Sequence, residues 1–181
     1  MMGLHPCSVT KNYDEDLVTI KDWLTQHDFA AIGEIGIDLY WDSSLLKEQQ
    51  NAFIQQIEWA KELKKPIIIH ARNSFNEIFE ILDDLNDEHL SGIFHCFSGD
   101  LKQATRAINY GNFWLGIGGV LTFKNAGLDQ VIKNIELSRL VLETDSPYLA
   151  PAPFRGKRNE SSYLTLIATK LAEVKNVSLG E

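Results

Sequence analysis

Short apolar runs alternate with amphipathic stretches along nearly the whole sequence, and this alternation constrains the fold more than any other feature. The runs are Phe29-Ala30-Ala31-Ile32, Pro66-Ile67-Ile68-Ile69, Gly92-Ile93-Phe94, Phe113-Trp114-Leu115-Gly116-Ile117 and Leu140-Val141-Leu142. Continuous, often β-branched runs of this length suit strands buried on both faces, as in a parallel sheet. The stretches between them have helical spacing. One helix, with Leu17, Ile20 and Leu24 inward, precedes the first run. The next presents Leu46, Phe53, Ile57, Ala60 and Leu63 on one face, and the one after it Phe75, Ile78, Phe79, Leu82 and Leu85. Ser74 and Glu77 stand where a capping box would close the start of that helix, and Asp100 with Gln103 has the same form ahead of Leu101, Ala104, Ala107 and Ile108. Gly111 is the stop signal there. Leu128, Val131, Ile132 and Ile135 line a further helix, and Leu164, Ile167, Leu171 and Val174 the last. The pattern is α/β with a parallel sheet, in a single domain over residues 1–181. Two solutions fit it, an open doubly wound sheet and a closed barrel. The glycines at 116, 118 and 119 follow a strand, but Val120-Leu121-Thr122-Phe123 does not open a helix, which argues against a dinucleotide fingerprint.

Composition narrows the function classes. The chain has 181 residues, 44% hydrophobic and 23% charged, enough for a sizeable core and free of the bias that marks disorder. No apolar run approaches the roughly 20 residues of a membrane helix. Met1-Met2-Gly3-Leu4-His5-Pro6 lacks the basic-then-apolar form of a signal peptide. The expectation is a cytoplasmic monomer without membrane contact. Cys7 and Cys96 are too few for a disulfide framework and are expected to stay unpaired. The net charge of −8 excludes a protein that coats nucleic acid by bulk electrostatics. A DNA substrate would have to be held by metal ions and a local basic patch.

The chemistry lies at the ends of the runs. The first is read as ending in Ile32-Gly33-Glu34, the second in Ile69-His70, the third in Phe94-His95 and the fifth in Leu142-Glu143-Thr144-Asp145. Each residue alone has an ordinary structural reading, as a capping group, a turn residue or a hydrogen-bonded core histidine. Their recurrence, about one per strand–helix unit, is what carries weight. In a (β/α) barrel the C-terminal ends of the strands share one rim, where the active site lies. Two imidazoles and two carboxylates form a mixed nitrogen and oxygen set suited to Zn²⁺, Mn²⁺ or Mg²⁺. His27 and His89 sit in polar surroundings and read as surface residues.

At these residues the sequence resembles the TatD-type deoxyribonucleases, metal-dependent hydrolases with a (β/α)8 TIM-barrel fold. The matching segments are Gly3-Leu4-His5-Pro6, Gly33-Glu34-Ile35-Gly36-Ile37-Asp38, His70-Ala71-Arg72, His95-Cys96-Phe97-Ser98-Gly99, Glu143 through Pro151, and Arg155-Gly156-Lys157-Arg158-Asn159-Glu160. The resemblance implies two divalent metal ions, with Glu34 as bridge, His70 and His95 on one metal, and Asp145 on the other as the general base beside the attacking water. It implies that His5, at the end of a strand before Glu34, and Arg72 contact substrate phosphate. Arg155, Lys157 and Arg158 would supply the basic patch. The implied reaction is hydrolysis of DNA phosphodiester bonds, on single-stranded ends that reach a recessed rim without unpairing.

Set against the family pattern, the chain is expected to carry about five of eight strands. Nothing precedes Gly3-Leu4-His5-Pro6 where family members have a strand ending in His-x-His, and a last helix is wanting. Two other readings compete. One is a superfamily hydrolase of small amides or esters; such enzymes often use a carboxylated lysine as bridge, and no lysine ends a strand here. The other is a non-catalytic remnant that binds a partner. The expectation is weak or no nuclease activity from this chain alone, together with exposed apolar surface. Single-stranded DNA hydrolysis at a full-length relative's rate, or hydrophobic-dye binding as low as that of an ordinary compact domain, contradicts it.

Overall fold

The computed structural model describes residues 1–180 and resolves them into two compact units, Met1–Phe94 with Tyr110–Phe113, and His95–Asn109 with the described residues from Trp114 onward. Strands and helices alternate throughout, as the periodicity requires.

In the first unit, β1 (Ile32–Asp38), β2 (Ile67–Arg72) and β3 (Gly92–Phe94) pair in parallel. They are joined by α2 (Leu46–Leu63) and α3 (Phe75–Leu85), with α1 (Tyr13–Gln26) ahead of β1. The pairing register places Ile32, Ile35, Ile37, Ile67 and Ile69 on one face of these strands, where all five are fully buried, whereas Ile68 and Ile93 at the alternate positions are only partly covered, so the expected burial on both faces is not met here. Phe79, Phe94 and Phe113 pack in sequence as tilted rings, with centroids 5.9 Å apart at each step.

The strands run further than their apolar letters. The apolar letters alone end the first strand at Glu34 and the second at His70. The ladder instead continues through Gly36↔His70, Ile37↔Ala71 and Asp38↔Arg72. Glu34 and His70 therefore lie inside strands rather than at their ends. Register shifts between Gly33 and Ile35, so Glu34 has no partner on β2. A bulge of this kind re-aims one side chain while the flanking residues keep their core contacts. Gly36 (φ 138°) makes the continuation feasible, because a Cβ there would collide with the carbonyl oxygen of His70. His5 does not end a strand. Met2 makes an isolated parallel bridge to Ile32, and His5 caps a 3-10 turn, Pro6–Ser8.

The helix faces also differ from the pattern. Leu63 is exposed and Leu46 only partly covered, whereas Gln49 and Gln56 of α2 are buried. Each glutamine bonds a stretch of main chain. Gln56 Oε1 accepts from Leu4 N–H at 2.6 Å and its amide donates to Leu4 O. Gln49 Oε1 accepts from Asp38 N–H at 2.8 Å and its amide donates to Asp38 O. These side chains do for Leu4 and Asp38 what a neighbouring strand would. Ser74 forms no capping box. Its Oγ donates to Ile37 O at 2.6 Å and accepts from Arg72 N–H, because β1 offers a buried carbonyl that outcompetes the exposed helix end.

In the second unit, β4 (Phe113–Ile117) and β5 (Leu140–Leu142) pair in parallel beside α4 (Leu101–Asn109), α5 (Leu128–Ile132) and α6 (Leu164–Lys175). The Asp100–Gln103 capping box forms in both directions at 2.8 Å. Ala104 and Ala107 of α4 face inward, but Leu101 is exposed. The helix expected over Leu128 to Ile135 closes after Ile132, though Ile135 stays in the core. Lys175 Nζ binds the carbonyls of Ile132, Lys133 and Ile135, satisfying groups that a longer helix would have paired internally. Gly119–Thr122, read as non-helical, makes a 3-10 turn. On β5, Val141 and Leu142 are exposed, so this strand is not covered on both faces.

The buried glutamines generate a test. Gln56→Leu strands the N–H and C=O of Leu4 and is expected to cost about 2 kcal/mol or more of stability in urea unfolding. The exposed neighbour Gln55→Leu is expected to stay within about 0.5 kcal/mol. Equal midpoints for the two variants contradict this role.

Candidate functional site

Each unit carries a half-buried histidine set against a carboxylate. In the first, His70 projects from β2, and its Nε2 lies 2.8 Å from Asp38 Oδ2. Asp38 ends β1 and is only 2% exposed. Its other oxygen accepts from the Tyr40 N–H at 2.9 Å and from the Trp41 N–H at 3.4 Å. Burial pushes the Asp38 carboxyl up, but the bonds from His70 and Tyr40 outweigh it and hold the group below the ordinary aspartate value. Asp38 thus stays ionised, accepts the Nε2 proton of His70, and leaves Nδ1 as a lone-pair donor.

That Nδ1 faces His5 Nε2 at 3.3 Å and Glu34 Oε2 at 4.0 Å. His5 Nε2 is 3.8 Å from the same Glu34 oxygen. The three side chains form a cluster of the size that holds a metal ion. Their chemistry separates the roles within it. The Cys7 N–H donates to His5 Nδ1 at 3.1 Å, so the proton of neutral His5 sits on Nε2. His5 therefore points a donor into the cluster, whereas His70 and Glu34 point lone pairs. A cation fits His70 and Glu34, and an anion such as a phosphate oxygen fits His5.

In the second unit, His95 follows β3 directly. Its Nδ1 is 2.6 Å from Glu143 Oε2 and its Nε2 is 3.2 Å from Asp145 Oδ1. Burial lowers the His95 imidazole's pKa, but its bonds to Asp145 and Glu143 prevail and hold it well above the ordinary histidine range. Glu143 also accepts from the Cys96 N–H through its other oxygen. His95, Cys96 and Glu143 form the second metal-sized cluster. Cys96 is the weakest donor of the three. Burial raises its thiol to about 11, against the opposing effect of His95, and a protonated thiol is a poor ligand.

The backbone around this group is held in unusual shapes. Cys96 (φ 43°) and Asp145 (φ 57°) both adopt the left-handed region. Asn159, buried, clamps the second of them, its amide donating to Thr144 O and Tyr148 O at 2.6 Å each. Gly116 provides the space for Glu143, since a Cβ at that position would overlap its carboxylate.

Within each unit, the structure brings His5, Glu34 and His70 together in the first, and His95 with Asp145 in the second. Arg72 is exposed, with its guanidinium 3.8 Å from the centre of the Tyr40 ring. Arg155 lies over Phe123 at 4.4 Å, and Arg158 and Lys157 are exposed nearby in sequence. Sequence reading assigned no role to Asp38, Glu143, Asn159, Gln49 or Gln56. Asp38 and Glu143 stood next to read motifs, and a search for a carboxylate near each histidine's strand would have raised them. His27 and His89 are exposed, as expected, and both cysteines are unpaired. Among the described residues no helix is long and apolar enough to cross a membrane.

The chain matches the family described as TatD related DNase over residues 1–181. It is 42% identical over 181 residues to the uncharacterized metal-dependent hydrolase YabD of Bacillus subtilis, covering 99% of this chain and 71% of the relative. It is 35% identical to the uncharacterized metal-dependent hydrolase YcfH of Escherichia coli K12, covering 99% and 67%. Among solved structures it superposes on YjjV, a TatD homolog from Escherichia coli K12, with a TM-score of 0.91 at 29% identity, covering 99% of this chain and 70% of that one. That likeness bears out the barrel-type α/β fold. The chain spans about seven-tenths of the length of these proteins.

The carboxylates behind the histidines are expected to matter almost as much as ligands. Asp38→Asn and Glu143→Gln should each weaken divalent-cation binding about 10–100-fold in calorimetry while circular dichroism is unchanged. Affinities equal to that of the surface control Glu80→Gln contradict the assignment.

Proposed function

This chain belongs to the TatD-related DNase family of metal-dependent hydrolases, and from that membership we propose that it carries the metal-binding and substrate-binding residues of a DNA-directed phosphodiesterase acting on single-stranded ends. The observation that carries the reading is the paired histidine–carboxylate arrangement, Asp38–His70 and Glu143–His95, in which one ring nitrogen is fixed and the other is turned to an acidic side chain. This is the support that metal-ligating histidines require.

Glu34, His70, His95 and Asp145 are the proposed ligands, for two divalent ions, Mg²⁺, Mn²⁺ or Zn²⁺. When bound, such ions lower the pKa of water and offset charge on phosphoryl oxygens. The chain's own groups do the rest. Asp38 and Glu143 set the tautomers of His70 and His95. Asp145, held by the Asn159 clamp, takes the proton of the attacking water. His5 donates from Nε2 to a phosphate oxygen. Arg72, Arg155 and Arg158 supply the positive charge that a chain of net charge −8 lacks overall.

End-labelled single-stranded DNA and a divalent cation test this. Whatever rate the chain shows, Glu34→Gln and Asp145→Asn are each expected to lower nucleotide release at least about 100-fold. His70→Ala should remove most of the metal binding in calorimetry. Hydrolysis of a cyclic amide but not of DNA overturns the phosphodiesterase reading.

A further inference from the structure

Beside the first cluster stand two aromatic side chains that the metal chemistry leaves unused. Tyr40 is 53% exposed and Trp41 71% exposed, directly after the buried Asp38. Exposed rings this large are normally buried, where they contribute strongly to packing. These two are held outward by their backbone. Both N–H groups bond Asp38 Oδ1, the carboxylate whose other oxygen holds His70. Leu39 N–H also bonds Arg72 O at 2.9 Å. The aromatic pair is therefore tied to the same two strands that place His70.

The rings meet at 88° with centroids 4.9 Å apart, forming a right-angled corner. The Arg72 guanidinium lies 3.8 Å from the Tyr40 centroid and 5.4 Å from that of Trp41. Among the described residues this guanidinium meets no carboxylate, so its charge is not neutralised by a partner. A flat aromatic ligand entering the corner stacks on one ring and offers its edge to the other, and an anionic group attached to it meets Arg72. A base joined to a phosphate has this combination. We propose that Tyr40, Trp41 and Arg72 form a stacking platform for one nucleobase of a single-stranded DNA substrate, with Arg72 on the adjoining phosphate. The proposal rests on the DNA-directed reading of the site. It adds where the strand is gripped, and it implies tolerance of base identity, because every base has a π-face.

The test uses the intact chain, a fluorescein-labelled thymidine hexamer, and the same hexamer with abasic residues in place of its bases. Anisotropy is measured without divalent metal, so that cleavage does not compete. Trp41→Ala is expected to weaken hexamer binding about tenfold or more. The wild type should lose a similar factor on the abasic hexamer, and Trp41→Ala should bind the two probes alike. Tyr40→Leu should behave in the same direction. Trp23→Ala, at a ring 48% exposed on α1, should change nothing. Hexamer affinity within twofold of wild type for Trp41→Ala, an equal loss on both probes, or no hexamer binding by the wild type overturns the platform. If Trp41→Ala binds normally while Glu34→Gln abolishes DNA cleavage, the platform fails and the phosphodiesterase reading stands. If binding depends on Trp41 and a cyclic amide but not DNA is hydrolysed, the platform stands and that reading fails.

Discussion

The carboxylate of Asp38 is the point on which the first unit's chemistry turns. One oxygen fixes His70 and the other fixes the backbone of Tyr40 and Trp41, while Gln49 pairs with its main chain on both sides. A charge this deeply buried persists because both carboxylate oxygens and the adjoining main-chain groups are hydrogen-bonded. Removing any one partner leaves the others oriented around an unpaired anion. The arrangement turns a strand end into a rigid mount for an imidazole.

The second unit reaches the same end by different means. Glu143 and Asp145 flank His95 from one short segment beyond β5, and that segment is shaped by Asn159. The main chain passes through the left-handed region at Asp145 and at Cys96, conformations that cost energy for residues with a Cβ and are found where surrounding bonds fix them. Gly116 contributes by having no side chain. In both units, then, the chemistry depends on groups that bear no catalytic letter: two glutamines, an asparagine and a glycine.

Much of this was legible beforehand, for definite reasons. β-branched runs and helical spacing report burial, and the isoleucines on one face of β1 and β2 are the ones the core takes in. Leu17, Ile20 and Leu24, the phenylalanines of α3 and the Asp100–Gln103 cap all follow from such local rules. Local rules failed where a distant partner competed. Ser74 has the right spacing for a cap and bonds Ile37 instead. Gln49 and Gln56 look like solvent-facing letters, yet main chain far away in sequence needs them. The strands outran their apolar runs because Glu34 sits in a bulge and Asp38 is paid for by hydrogen bonds rather than by hydrophobicity.

The sequence by itself determined the alternating α/β architecture and which side chains can bind a metal or a phosphate, because residue type and periodicity are properties of the chain. It also determined the family, through motifs whose order and letters are specific together. Only the tertiary structure decided how the histidines are presented. Which ring nitrogen of His70 meets Asp38, which ring nitrogen of His5 takes the Cys7 N–H, and how Glu34 leaves the core face of β1 all depend on partners brought together in space. Hydrogen bonds between such partners are set by distance and direction in space, and neither is written in the order of the residues.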